Sequence, residues 1–203
     1  MKSFSEIETT SKRASKAAGF SWGIAEEIGK NIRLLEMFGL PGVKNLIEYF
    51  KVKKEKNFEN LKLISKENKI NKNNFCPIIS GTSFLDQIKT LENLEEIKFE
   101  KLAYPLLFLP FISRASEIIG KRLLLKLDDT EFLLNFNLSI ISNLSKKNII
   151  NISNLTSVRF LENSDSFSDK EWNELYKKSE ETFVEETESL KQTAAGAGLT
   201  DND

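Results

Sequence analysis

The 203-residue chain has no histidine, one cysteine and only four prolines. Without an imidazole there is no Ser-His-Asp triad, no Cys-His pair, no histidine general base and no histidine-ligated zinc. A single thiol excludes a disulfide framework, a four-thiolate zinc site and a cysteine-held iron–sulfur cluster. Long apolar runs are missing too. The longest, Leu102 to Ile112, is 11 residues with Pro105 and Pro110 inside it, whereas a membrane span needs ~20. The opening Met1-Lys2-Ser3-Phe4-Ser5-Glu6 has no apolar run behind its charge and does not read as a secretory signal. These absences point to a cytoplasmic protein without a membrane segment, whose site chemistry falls to carboxylates, Lys and Arg.

What is present suffices for a packed core. Forty per cent of residues are apolar, and 15 are Phe. A chain of this length folded as one domain buries ~70% of the surface its unfolded form exposes. Lys outnumbers Arg 24 to 5 and there are 18 Asn, a bias that suggests an A/T-rich coding sequence and makes a given Lys or Asn weak evidence of function. The near-zero net charge of −1 conceals a polarised chain: residues 162–203 carry 4 Lys against 12 Asp and Glu, and residues 1–161 carry net +7. Within the basic part, Lys51 to Lys72 holds eight Lys and three Glu. This stretch reads either as an anion or nucleic-acid patch or as a solvated loop. The absence of Arg and the single aromatic, Phe58, favour the loop and argue against nucleic acid.

Along the chain, Ser3 with Glu6 forms a capping-box pattern ahead of a first helix that Gly19 ends. Ser21 caps a second helix with the stripe Ile24, Ile28, Ile32 and Leu35, closed by Gly39, and Pro41 opens a third carrying Val43, Leu46, Ile47 and Phe50. Residues 1–53 are therefore helical, and 54–75 are a Lys/Asn-rich connector. In residues 76–161, Cys76 to Gly81 reads as extended and turned, with a short helix capped by Thr82 or Ser83 running to Leu91. Ile97 to Phe99 reads as a short strand, and a Pro-bent helix follows from Pro105 to Gly120. Candidate strands lie at 123–127, 131–137, 138–142, 148–153 and 156–161. A long acidic amphipathic helix over 162–192 begins at the capping box Ser168/Glu171, with Phe167 and Trp172 as its hydrophobic staple and a stripe through Leu175, Tyr176, Phe183 and Leu190. A Gly/Ala and acidic tail spans 193–203. The order predicts a single α+β domain: N-terminal helices, a mostly antiparallel sheet of four to five strands, and a long C-terminal helix.

Several segments, Ser21-Trp22-Gly23-Ile24-Ala25-Glu26-Glu27, Gly39-Leu40-Pro41-Gly42, Cys76-Pro77 with Gly81, Leu107 to Phe111 and the ending Ala195 to Asp203, resemble an uncharacterised bacterial family of similar length described only as a domain of unknown function. The resemblance implies one full-length domain and no activity.

Two places can carry chemistry. On the second helix, Trp22, Glu26 and Arg33 lie close to one face, where Glu26 could accept or take a proton and Arg33 clamp an anion; a salt bridge such as Glu26 with Lys30 is the plainer reading. In the tail, Gly196 and Gly198 lead to Asp201, Asn202 and Asp203. Asp201 and Asp203 could bind Mg²⁺ or Ca²⁺ through oxygen, the tail could enter a partner's basic pocket, or the end could simply fray. Arg114 can present an anion-binding group to a cavity or pair with Glu117 or the acidic helix. Cys76 reads as a buried structural thiol. The expectation is a non-catalytic binding or accessory protein with a small-molecule or protein partner, its site involving the second helix and the tail. The competing expectation is a small carboxylate enzyme using Glu26 with Asp201 or Asp203, with or without a divalent metal.

Overall fold

The computed structural model of the chain describes residues 2–144, 150–162 and 164–182. The chain divides into two compact units, Met1–Asn163 and Ser164–Asp203.

The first unit opens with three helices, each begun and ended by local chemistry. Helix α1 (Phe4–Ala17) starts where the Ser3 hydroxyl accepts from the Glu6 amide. The reciprocal half of that box is not made, because the Glu6 carboxylate is held by Lys2 at 2.7 Å. Gly19 follows at φ 94°, a conformation that favours glycine. Helix α2 (Trp22–Met37) is capped by Ser21 and buries Ala25, Ile28, Ile32 and Leu35. Helix α3 (Gly42–Glu55) starts after Pro41 and buries Leu46 and Tyr49.

The connector is fixed in place by amide side chains. The Gln87 amide donates to Lys62 O and Ser83 O and accepts from the Ile64 N–H. Asn68, in the two-residue strand β1 (Glu67–Asn68), is buried and donates to both Ser65 O and Lys98 O. Phe75 inserts its backbone between Glu59 and Leu102 as parallel bridges.

Helix α4 (Pro77–Leu91) begins six residues earlier than the Thr82 cap predicts. Cys76 is indeed extended (φ −69°, ψ 118°), as a residue before proline prefers to be, but its Sγ then caps the Ile79 amide and Pro77 takes the first helical position. Gly81 therefore lies inside a helix: a Cβ there would meet the Phe111 ring at 2.2 Å. The glycine marks a close helix crossing and not a turn.

Strand β2 (Glu96–Ala103) is longer than predicted. After a 3-10 turn at Pro105–Leu107, helix α5 (Leu109–Ile119) has Pro110 in its first turn and ends on Gly120 at φ 64°. Then come β3 (Arg122–Leu127), β4 (Thr130–Leu134), β5 (Ile140–Ser142) and β6 (Ile152–Leu161). Among the described residues the sheet has six strands in the order β1-β2-β6-β3-β4-β5. It is mixed, since β1 runs parallel to β2 and the other pairs are antiparallel. The two strands predicted at 148–153 and 156–161 are one strand from Ile152 onward.

One face of the sheet forms the core. Ile97, Phe99, Leu123, Leu125, Phe132 and Val158 are fully buried beneath α4 and α5, where Phe84 lies 6.0 Å from Phe108 and Phe99 lies 5.2 Å from Phe108, both edge to face. The inward alternation of β2 and β6 is broken at one place on both strands: Phe99 and Thr156 are buried and paired, Leu102 and Ser153 are buried and paired, and between them lie the Glu100–Leu155 pair and then Lys101 and Asn154, which are not paired in the register. Lys101 takes φ 41° at this switch. The Asp128 carboxylate holds the opposite side, accepting from the Asn154 and Leu155 amides at 3.2 and 3.0 Å.

In the second unit, α6 (Asp169–Glu180) has the predicted capping box with both halves made, and Phe167 stacks on Trp172 at 5.4 Å. The Ser168 backbone N–H donating to Glu171 holds that carboxyl below its ordinary pKa. The helix has 12 residues and gives way to a turn at Glu181–Thr182, so the long helix expected over 162–192 is not supported. Trp172, Leu175 and Tyr176 are exposed; Phe183 and Leu190 lie outside the described residues.

Candidate functional site

The face of α2 singled out in the sequence is a seam with α1. Three positions one turn apart on α1 meet it: Lys16 lies 5.4 Å above the Trp22 ring, Lys12 pairs with Glu26 at 3.1 Å and Glu8 with Arg33 at 2.7 Å. Gly29 makes the approach possible, since a Cβ there would lie 2.8 Å from Glu8 O. Glu26 also meets Lys30 at 3.2 Å, the plainer sequence reading, and hydrogen bonds from Lys12 and Lys30 lower its pKa. Arg114 reaches α2 from α5 and pairs with Glu27; burial lowers its pKa. Lys30 touches both Glu26 and Glu27, so Glu26 and Arg114 share one ion network while Arg33 stands apart with Glu8. The carboxylates and guanidinium groups of this face are thus already matched by protein partners.

The tail candidates Gly196, Gly198, Asp201, Asn202 and Asp203 lie outside the described residues. Among the described residues no group of three or more Cys, Asp or Glu side chains is placed to hold a metal ion, and no helix is long and apolar enough to cross a membrane.

Two adjoining cavities in the first unit lie elsewhere, and both use Lys56, Asn57 and Phe58, just after α3. The larger, about 540 Å³, is completed by Val52, by Lys72, Asn73 and Asn74 from the connector, and by Ala103, Tyr104, Asn151 and Ile152 from the sheet end. The second, about 350 Å³, reaches down to Phe20, Tyr49 and Cys76. Their placement follows from the backbone bridges of the connector: Glu59 N donates to Asn74 O and Cys76 N to Glu59 O, both at 2.9 Å, while Phe75 N donates to Lys101 O at 3.1 Å. Three extended segments are thereby brought side by side. The Glu59 carboxylate accepts from the Asn71 backbone and side chain at 3.0 and 2.8 Å. Hydrogen bonds from the Asn71, Lys72 and Asn73 region lower its pKa and shape the loop that carries Lys72 to Asn74.

The floor is aromatic. Tyr49, fully buried, stacks on Phe58 at 5.1 Å and meets Tyr104 edge-on at 5.9 Å. Tyr104 sits in the left-handed region at φ 43° while only 6% exposed. Its amide donates to Asn151 O at 2.8 Å, which fixes this strained residue against the end of β6. The Tyr49 hydroxyl and Cys76 Sγ are 3.2 Å apart. Burial pushes both of their pKa values up, so at neutral pH neither is ionised. Cys76 is the buried thiol expected from the sequence.

Among the described residues no carboxylate lines either cavity. Burial raises the Tyr104 pKa and the charge of Glu48 raises it further; Glu48 is itself paired with Lys51 at 2.7 Å. Lys53 is partly engaged, donating to Ala18 O at 3.2 Å and lying 5.1 Å over Phe20. The Lys56 and Lys72 ammonium groups have no ion pair or hydrogen bond among the described residues. The sequence reading missed this site because its polar members came from the stretch discounted as a Lys/Asn-rich connector. The signal it carried was Phe58, the lone aromatic in that stretch.

These features define an α+β protein with an open, cationic, aromatic-floored cleft. Residues 2–76 match the model of a family described as Protein of unknown function (DUF3726), less than half of the chain, covering the resembling segments at Ser21–Glu27 and Gly39–Gly42 but not the ending. No curated protein and no solved structure matches the chain. Likeness therefore assigns no activity, and the function is unknown.

Proposed function

We propose that the chain is a non-catalytic, cytoplasmic binding protein that holds a small anionic molecule in the cleft around Phe58. The observation that carries this reading is the pair of ammonium groups, Lys56 and Lys72, that have no partner among the described residues, on a cavity wall to which no described carboxylate contributes. A cation with no counter-charge beside a concave aromatic floor attracts an anion and has no structural task in the fold. The non-catalytic part is supported by the deepest polar groups, Tyr49 and Cys76, whose raised pKa values keep the phenol and the thiol un-ionised at neutral pH.

A thermal-shift screen of anionic metabolites at low salt tests the proposal, with Lys56→Gln/Lys72→Gln as the comparison. Ligand at 100 times its dissociation constant adds ~2.7 kcal/mol to stability, and the double variant loses that gain while keeping the unliganded melting temperature. No shift from any anion, or an unchanged shift in the double variant, overturns the reading.

A further inference from the structure

Resting on that reading, we infer that the anion is a sugar derivative, a phosphorylated or acidic monosaccharide. The larger cavity is walled by four carboxamides, Asn57, Asn73, Asn74 and Asn151. None of their side-chain amides makes a hydrogen bond among the described residues, whereas the Asn68 carboxamide both donates and accepts within the fold and Asn71 donates to Glu59. Each free carboxamide offers one acceptor oxygen and two N–H donors, the complement of adjacent ring hydroxyls, each of which donates and accepts.

The remaining walls fit the same molecule. Lys56 and Lys72 supply point charges for a phosphate or carboxylate, and Phe58 and Tyr104 supply a flat apolar surface for the C–H face of a pyranose or furanose. A volume of about 540 Å³ is within the ~300–1,000 Å³ common for small-molecule sites and far exceeds what inorganic phosphate fills. A long-chain or purely aromatic acid would bury those four carboxamides without partners, which costs binding free energy for each group left unsatisfied. A sugar hydroxyl satisfies them.

The full-length chain is titrated calorimetrically with glucose 6-phosphate, glucuronate, glucose, inorganic phosphate and benzoate. Glucose 6-phosphate or glucuronate is expected to bind at least about tenfold more tightly than glucose, phosphate or benzoate, the factor expected of one further charge-assisted hydrogen bond. Asn73→Ala/Asn151→Ala, two exposed positions, is expected to weaken the sugar anion by about tenfold or more and to leave inorganic phosphate unchanged. Benzoate binding as tightly as the sugar anions, or an Asn double variant with unaltered sugar affinity, overturns the sugar assignment while the anion-binding reading stands. No binding by any of the five anions and sugars, in a protein with an unchanged melting curve, overturns both.

Discussion

Replacing Gly81 by Ala tests the packing of α4 on α5 with a single methyl group. Two effects oppose each other. Inside a helix, Ala is favoured over Gly by about 1 kcal/mol. Against that, the new Cβ would stand 2.2, 2.5 and 2.8 Å from three atoms of the Phe111 ring, where ordinary contact begins at 3.4 Å. The ring would have to retreat by about 1 Å in an interior packed like a molecular crystal, and Phe111 is 1% exposed with no solvent side to move toward. Overpacking by one methyl typically costs 1–3 kcal/mol, and a clash this short belongs at the upper end, leaving a net loss of about 2 kcal/mol. With a urea slope of roughly 2 kcal/mol per molar, the midpoint falls by about 1 M. Gly23→Ala is the matched control: it is also helical, but nothing lies within 4 Å of its added Cβ, so its midpoint is unchanged or higher. Phe111→Leu makes room, and in that background Gly81→Ala is expected to cost at least about 1 kcal/mol less. A Gly81→Ala midpoint equal to or above wild type refutes the close-crossing argument.

The Glu59 carboxyl has its pKa lowered chiefly by the Asn71 backbone amide, so its contribution is present above the unfolded carboxylate pKa and is lost as pH falls through the lower folded value; amide exchange at Asn71 to Asn73 is expected to accelerate across that acid range, and Glu59→Gln removes the dependence. Asp128→Asn keeps a residue that tolerates the φ of 49° but loses the charged acceptor for the Asn154 and Leu155 amides, at about 1 kcal/mol, with faster exchange at those two amides; unchanged exchange refutes the anchoring role. Arg114→Ala strands Glu27 with Lys30 alone, at 3.4 Å, and is expected to cost about 1–2 kcal/mol; a double-mutant cycle with Glu27→Ala showing no coupling refutes it.

Local signals carried the parts of the fold that local chemistry decides. Ser3, Ser21 and Ser168 cap the helices that their positions predict, and the Asp128-Asp129 turn joins β3 and β4 because alternation and turn residues agree. The misread parts depend on groups far apart in sequence. Gly81 reads as a turn until Phe111, thirty residues on, shows what its missing side chain is for. The connector reads as loose because its order comes from Gln87, Asn68 and Glu59 bonding to backbone elsewhere, which no periodicity records. The cleft was illegible for the same reason, as it is assembled from the end of α3, the connector and the sheet end. Conversely, the Trp22–Glu26–Arg33 face was legible as a special face, but its partner is α1, whose Lys16, Lys12 and Glu8 carry the complementary charges.

The switch of facing shared by β2 and β6 separates two obligations within the same pair of strands. Rungs from Glu96 to Phe99, with their β6 partners, answer to the core, where a changed side-chain volume is felt at once. Beyond Lys101 and Asn154, the strands end in Ala103, Tyr104, Asn151 and Ile152, all of which line the larger cavity. Asn151 and Ile152 are exposed, so substitutions there can redraw the cleft's chemistry without repacking the interior. A scaffold divided in this way can exchange its ligand while keeping its fold.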